Sequence, residues 1–396
     1  MASDMTTRSS GRTVGAGEMF QLLRDGLPRT RATLCEITGQ TRSTVATRID
    51  ALRATGLITA AGEAPSTGGR APTVFAFDPS VRLVLGVDLG ATHARIAITD
   101  LATTTLAVRS ESLDIADGPD IVLPQVIEAA LALLAETGRQ PTSLVAAGVG
   151  LPGPVDQASG RPNHPPIMPG WNDVDVPGLL SASLGVPVLV DNDVNVMALG
   201  EHRAAWPEVA NLFLVKVGTG IGSGIIADGR LLRGADGAAG DIGHVPLPGA
   251  ETIRCRCGNF GCLEAVASAR AVAESLGGPG ANLTGHDVVE RVRSGDVDAI
   301  HALRRAGRDI GQVLTTCVSL LNPSVIVVGG ILSESGEHLL AGIREMVYHR
   351  SLPLATEHLQ IVTAQTGVDA GACGAAALAI EHVLSPQAID ALVREG

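Results

Sequence analysis

Gly237-Ala238-Ala239-Gly240-Asp241-Ile242-Gly243-His244 and, one loop later, Cys255-Arg256-Cys257-Gly258-Asn259-Phe260-Gly261-Cys262-Leu263-Glu264 decide the reading of this chain. His244 with Cys255, Cys257 and Cys262 offers one imidazole and three thiolates, a Cys3His set that suits tetrahedral Zn²⁺ in a closed, structural site. Soft thiolates disfavour Mg²⁺ or Ca²⁺ there. Gly258 and Gly261 let the loop wrap an ion. A disulfide or free thiols would use the same residues. Residues 1–17 are polar and rich in Ser, Thr and Gly, with no hydrophobic signal core. They are expected to be a flexible tail of a cytoplasmic protein, where crowded cysteines point to metal before disulfide. Cys35, Cys317 and Cys373 are isolated in apolar surroundings and are expected in the core.

Around this loop lie groups suited to a polyhydroxylated ligand. Val186 to Val190 reads as a strand ending in Asp191-Asn192-Asp193, with a helix from Val194 to His202 behind it. Polar groups at the carboxyl end of an apolar strand are where α/β proteins place ligands. Asn192, Asp193, Asp241, His244 and Glu264 can fork onto vicinal hydroxyls, and an Asp beside a hydroxyl can act as a general base. The plainer reading is that Asp191 and Asp193 cap the helix and Glu264 solvates a helix end; spacing does not choose between them. Two glycine-rich hairpins complete the pattern. Asp88-Leu89-Gly90-Ala91-Thr92 follows an apolar strand, and Gly218-Thr219-Gly220-Ile221-Gly222-Ser223-Gly224 follows Leu212 to Val217. Such turns can cradle phosphate with backbone N–H groups, and Asp88 could hold a hydrated Mg²⁺; ordinary tight turns read the same way. Two hairpins of this kind suggest two lobes and a cleft.

The first 80 residues have a different character. The whole chain of 396 residues carries a net charge of −12, against non-specific coating of nucleic acid, yet residues 1–80 hold nine Arg and seven acidic groups. At 45% apolar and 18% charged the chain is no disordered polymer, and it has no apolar run long enough to span a membrane. Three short helices are expected within 18–60. Met19, Leu22 and Leu23 mark the first. Thr30 caps a second that carries Ala32, Leu34 and Ile37 and closes at Gly39. Thr41 caps a third with Val45, Ile49 and Leu52 on its inner face. Arg42, Ser43, Thr44, Thr47 and Arg48 lie at its start and outer face, with side chains that reach phosphates and base edges. Leu57-Ile58-Thr59 and Thr73 to Phe77 then flank a wing tipped by Arg70. A three-helix packing module is the alternative. Order and chemistry favour an all-α winged helix-turn-helix over 18–78, with a linker at 79–82.

The two quoted stretches resemble the signature of the ROK family of repressors and sugar kinases, and the resemblance runs from Leu83 to about Ile380. It implies a two-lobed, actin-like (ribonuclease H-like) α/β fold over 83–396. Lobe 1 would span about 83–193 plus a C-terminal helix at about 378–396, and lobe 2 about 194–377. It implies phosphate contacts at Asp88, Gly90, Thr92, Thr219, Gly220 and Gly222, and sugar contacts at Asn192, Asp193, Asp241, His244 and Glu264, Asp193 falling where the kinases keep their catalytic base. Pro169-Gly170-Trp171 resembles a further sugar-cleft motif. Three departures weigh against ATP and Mg²⁺ use and for an altered sugar preference. Ala91 puts a Cβ where backbone approaches phosphate, Asp241 stands where Glu is usual, and Ile167 replaces an Asn. The expectation is a sugar-responsive transcriptional regulator, a repressor, reading a palindromic operator as a homodimer or tetramer. Its effector would be a sugar or sugar phosphate, and its zinc structural. An ATP-dependent sugar kinase with an appended DNA module is the alternative, and a scaffold with a vestigial cleft a third reading.

Overall fold

The computed structural model describes residues 15–63, 71–277 and 282–395, in two compact units. The smaller comprises the described residues up to Leu83 with Asp100–Ala102 and the stretch from Ile380; the larger holds Val84–Thr99 and Thr103–Ala379.

In the smaller unit, helices Ala16–Gln21, Arg31–Thr38 and Arg42–Ala54 form the expected trio. The caps are as the sequence implies: Thr30 Oγ1 accepts from the Thr33 amide, Thr41 Oγ1 accepts from the Thr44 amide, and Gly39 ends its helix in the left-handed conformation at φ 68°. Leu34, Val45, Ile49 and Leu52 are buried with Met19, Phe20 and Leu23. Ala32 and Ile37 are exposed, contrary to expectation. Ile37 falls on the side of its short helix that faces water, and one buried residue, Leu34, holds that helix.

The all-α description applies to the helical part alone. Strands β1 (Arg29–Thr30), β2 (Ile58–Glu63) and β3 (Thr73–Phe77) make an antiparallel sheet in the order β1-β3-β2. The wing hairpin presents a free edge on β3, and Arg29–Thr30 pairs with it.

Three further differences concern the ends of this unit. Gly17, expected in the flexible tail, donates its amide to Asp390 Oδ1 at 2.8 Å. The expected linker is a short 3₁₀ turn, Pro79–Val81, capped by Asp78, whose Oδ1 accepts from the Ser80 amide and hydroxyl. The C-terminal helix, Pro386–Glu395, expected in lobe 1, packs against Ala16–Gln21 instead, with Gln21 donating to the Leu384 carbonyl and Arg24 pairing with Glu381. Its apolar face, with Ile389 fully buried, finds its partner there.

The larger unit is built on two five-stranded sheets. The first contains β4 (Leu83–Leu89), β5 (His93–Asp100), β6 (Thr105–Ser112), β7 (Leu144–Leu151) and β8 (Val188–Asn192), in the order β6-β5-β4-β7-β8. The second contains β9 (Leu212–Val217), β10 (Ile221–Ala227), β11 (Arg230–Leu231), β12 (Val325–Gly329) and β13 (Gln360–Thr363), in the order β11-β10-β9-β12-β13. β4 and β12 are buried along their whole length, as central strands covered on both faces must be. Helix Ala370–Val383 lies close to several elements because they lack side chains: a Cβ on Gly86 or Gly148 would sit about 2 Å from its carbonyls, and one on Gly374 would strike the Val196 carbonyl. No single described helix is long and apolar enough to cross a membrane.

Candidate functional site

The larger unit brings the carboxyl end of β8, both glycine turns and the Cys–His loop into one site. Helix Asp193–Ala205 begins where β8 ends, and its cap is Asn192: the side-chain oxygen accepts from the Val194 and Asn195 amides, and the side-chain nitrogen donates to the Gly153 carbonyl at 2.9 Å. The two aspartates expected as caps do other work. Asp191 is buried, accepting from the Asn192 amide and Asn195 Nδ2 on one oxygen and from Arg233 Nε at 2.6 Å on the other. Asp193, also buried, takes the Lys216 ammonium on Oδ2 at 2.6 Å. Lys216 is the only lysine in the chain.

Asp88, at the end of β4, belongs to the same cluster. It is 9% exposed and its Oδ1 has no hydrogen-bond partner. Its other oxygen lies against the first turn of helix Ala370–Val383, where a Cβ on Gly371 would sit 2.0 Å away. Burial raises the Asp88 carboxyl to about 6; the Lys216 charge works the other way and Asp193 adds to the rise. Burial opposes the Lys216 charge too, but Asp193 and Asp88 outweigh it and hold the ammonium above its ordinary pKa. His93 lies over the first turn, where a Cβ on Gly90 would meet its ring at 2.5 Å; burial, then Lys216, hold its pKa low.

The second turn owes its glycines to packing as much as to any ligand. A Cβ on Gly222 would meet Val194 at 2.9 Å and one on Gly224 would meet Ala198 at 2.5 Å, so both let β10 approach the helix behind β8. A Cβ on Gly220 would lie 2.5 Å from Glu264 Oε2, which accepts from the Ile221 amide at 3.2 Å. Glu264 therefore braces the turn. Thr92 and Thr219 are exposed. The stretch Gly237–His244 folds onto β10: Gly240, at φ 98°, passes so near the Ser223 carbonyl that no Cβ fits, and Gly243 does the same at Ile221. This places Asp241, exposed, and His244, half-buried, beside the turn.

His244, Cys255, Cys257 and Cys262 come together with their ligand atoms all within 4.8 Å, the one such group of four found among the described residues. Cys255 Sγ is 3.7 Å from His244 Nδ1, and Cys257 Sγ is 3.7 Å from Cys262 Sγ. The knuckle is shaped by the Cys255 amide bonding to the Asn259 carbonyl and by positive φ at Gly258 and Gly261. Burial, then the neighbouring thiols, push Cys262 up to about 12, and burial raises Cys255. Burial also opposes the Cys257 thiolate, but hydrogen bonds from Asn259 and the other two thiols lower its pKa. Such a set of thiols gives up its protons to a cation, so it fits a metal ion. All six cysteines are free; Cys35, Cys317 and Cys373 are half-buried, with Cys317 packed against the core of the larger unit.

In the smaller unit, Arg42, Ser43 and Thr47 are exposed on helix Arg42–Ala54. Thr44 is half-buried and shares its hydroxyl with Thr41 at 2.9 Å; Arg48 is turned back onto the Gln40 side chain. Arg70 lies outside the described residues.

Residues 84–382 match the model of the ROK family. The chain belongs to the ROK family. The two sheets of its larger unit are the actin-like fold of ROK proteins. The xylose repressor of Bacillus spizizenii is 28% identical over 361 residues, covering 90% of this ROK chain and 92% of that protein. The crystal structure of a ROK family transcriptional regulator, homologous to the E. coli MLC protein, superposes with a TM-score of 0.81 at 25% identity, covering 97% of this chain and 99% of that one. A ROK family glucokinase from Streptomyces griseus, solved with glucose and AMPPNP, gives a TM-score of 0.64 at 29% identity and covers 75% of this chain and 99% of that one.

Sequence reasoning found the Cys–His group, the end of β8 and both turns. It missed Lys216, Arg233 and Gly371. A lone lysine in the apolar strand Leu-Phe-Leu-Val-Lys-Val, next to a glycine turn, was the available signal.

Proposed function

We propose that this protein is a sugar-responsive, DNA-binding transcriptional repressor of carbohydrate metabolism. One observation carries the reading. The ROK regulator matches the chain nearly end to end, head included, whereas the glucokinase leaves about a quarter of it unmatched. In this reading Arg42, Ser43, Thr44, Thr47 and Arg48 meet DNA, joined by Arg70 from the wing. Two copies, or four, read a palindromic operator. A sugar or sugar phosphate occupies the cleft against Asn192, Asp193, Asp241, His244 and Glu264. Zn²⁺ held by His244, Cys255, Cys257 and Cys262 orders the loop that carries His244 and leads to Glu264. The kinase alternative keeps the turns at Asp88, Gly90 and Thr92 and at Thr219, Gly220 and Gly222 for ATP and Mg²⁺; the ion pair already formed by Asp193 stands against it.

Ligand in the cleft shifts operator affinity only by its unequal affinity for two states of the protein, and by linkage DNA shifts sugar affinity by the same factor, typically about 5–150-fold. The test is selection of a duplex from random DNA by the full chain, followed by titration with xylose, glucose, N-acetylglucosamine and their phosphates at fixed salt. A selected palindrome whose affinity changes at least fivefold with one sugar is the expected result. No sequence preference in the bound DNA would overturn the reading.

A further inference from the structure

We propose that Lys216 is a resident cation that occupies the position a divalent metal would need between Asp193 and Asp88, so that the cleft holds its sugar without phosphorylating it. The proposal rests on the cleft being the effector site and adds what becomes of the effector there: it leaves unchanged.

The geometry is specific. Lys216 projects from β9 just before the second glycine turn and delivers its ammonium to Asp193 Oδ2 at 2.6 Å. Asp88 comes from the strand before the first glycine turn, is more than nine-tenths buried, and keeps Oδ1 without a partner. Asp88 and Asp193 meet over Gly150, where a Cβ would lie 3.3 Å from Asp193 Cα and 3.4 Å from Asp88 Oδ1, and two carboxylates buried so close are held ionised only by a compensating cation. Hard oxygens in this number suit Mg²⁺, which brings its own water and a phosphate to complete its shell. Here the compensating charge is covalently part of the chain. An ammonium neutralises Asp193 but has no coordination position to offer a phosphate donor. It also takes up one of the two Asp193 carboxylate oxygens and holds that carboxylate as an ion pair, which makes it a weaker base toward a sugar hydroxyl. The same fold in the glucokinase accommodates glucose with AMPPNP, so the scaffold admits both ligands and the difference lies in what lines the cleft.

The experiment uses the full chain. Wild type, Lys216→Ala, Lys216→Gln and the double variant Lys216→Ala/Asp88→Asn are followed by thermal unfolding at constant ionic strength, with and without millimolar MgCl₂. The Cys–His group has no affinity for this hard ion and does not interfere. Wild type should be insensitive to Mg²⁺. Lys216→Ala and Lys216→Gln should melt lower and be raised by Mg²⁺ by several degrees, and the double variant should lose the response. In parallel, wild type with Mg-ATP and the sugar panel should release no ADP above the sugar-free rate. Sugar-stimulated ADP release by wild type, in which the γ-phosphoryl passes to a sugar hydroxyl, would overturn the proposal. So would a Mg²⁺ shift in wild type, or its absence in both folded single variants. If Lys216→Ala fails to fold, Lys216→Gln and the wild-type turnover arm still decide. The melting temperature of wild type with each sugar, free of ATP and Mg²⁺, is a separate readout of the effector reading: a sugar shift without turnover supports both, and no sugar shift condemns that reading alone.

Discussion

The Cys–His loop and the carboxylate cluster lie in the same unit and were assembled in opposite ways. The loop draws its four ligands from His244 to Cys262, a span in which two isolated bridges and three left-handed glycines fix the turn. The cluster draws Asp88, Asp193, Lys216 and the bare backbone of Gly371 from four separate elements of the fold. The loop gathers thiols that could hold a metal ion; the cluster carries its own cation. A local constellation can be read from spacing, whereas a distributed one becomes visible only when the chain has folded.

The largest effect expected from breaking this contrast is at the loop. Cys257→Ser removes one thiolate, and structural Zn²⁺ in small sites carries apparent binding free energies of about 10–16 kcal/mol. Zinc measured by elemental analysis should fall from one per chain to near zero, with a melting temperature lower than that of any single variant in the cluster. A zinc-replete, fully stable variant would mean the fourth ligand is dispensable.

Arg233→Met strikes the distributed kind of pairing next door. Asp191 would be left buried without its guanidinium, and removing one partner of a buried pair costs about 3–5 kcal/mol. Because Asp191 keeps the Asn192 amide and Asn195 Nδ2 as donors, the loss in urea unfolding should fall at the lower end. A change under about 1 kcal/mol would show that those two donors alone satisfy it.

The smallest effect sharpens the comparison through pH. Asp88 titrates at about 6 in the native protein against 3.8 for an unperturbed aspartate. Its folded value is raised, so its contribution to stability is fully present below about pH 4 and is lost as pH rises through about 6, by at most about 3 kcal/mol. Asp88→Asn should remove that slope and leave the variant more stable than wild type at pH 7, when both are unfolded in urea at pH 5 and 7. An unchanged slope would place the titration elsewhere.

Much of the architecture was open to inspection beforehand. Thr30, Thr41 and Gly39 bracket helices because side-chain caps and left-handed glycines act over three or four residues. Val45, Ile49 and Leu52 lie on one face because the helix repeats every 3.6. The Cys–His group was legible for the same local reason. Lys216 was not, since nothing in a strand's own sequence says which carboxylate lies opposite. Arg29–Thr30 gave no strand signal, being two residues recruited by the edge of another hairpin. Ile37 misled because an apolar residue on a short helix looks like core wherever it points. Spacing left the cap open: any of three adjacent polar residues can cap a helix, and backbone geometry chose Asn192, the middle one.

The hydrogen bond from Gly17 to Asp390 spans 373 positions of sequence. A ribosome delivers helix Arg42–Ala54 long before Asp390, the residue that buttresses the same unit. The smaller unit is thus begun before the larger one and closed after it. Until Pro386–Glu395 emerges, helix Ala16–Gln21 has helix Arg42–Ala54 and Phe77 to pack on but lacks its C-terminal partner, and the unit stays incomplete while the larger one is made. A chain that stops within the larger unit therefore leaves helix Ala16–Gln21 without the helix that covers it.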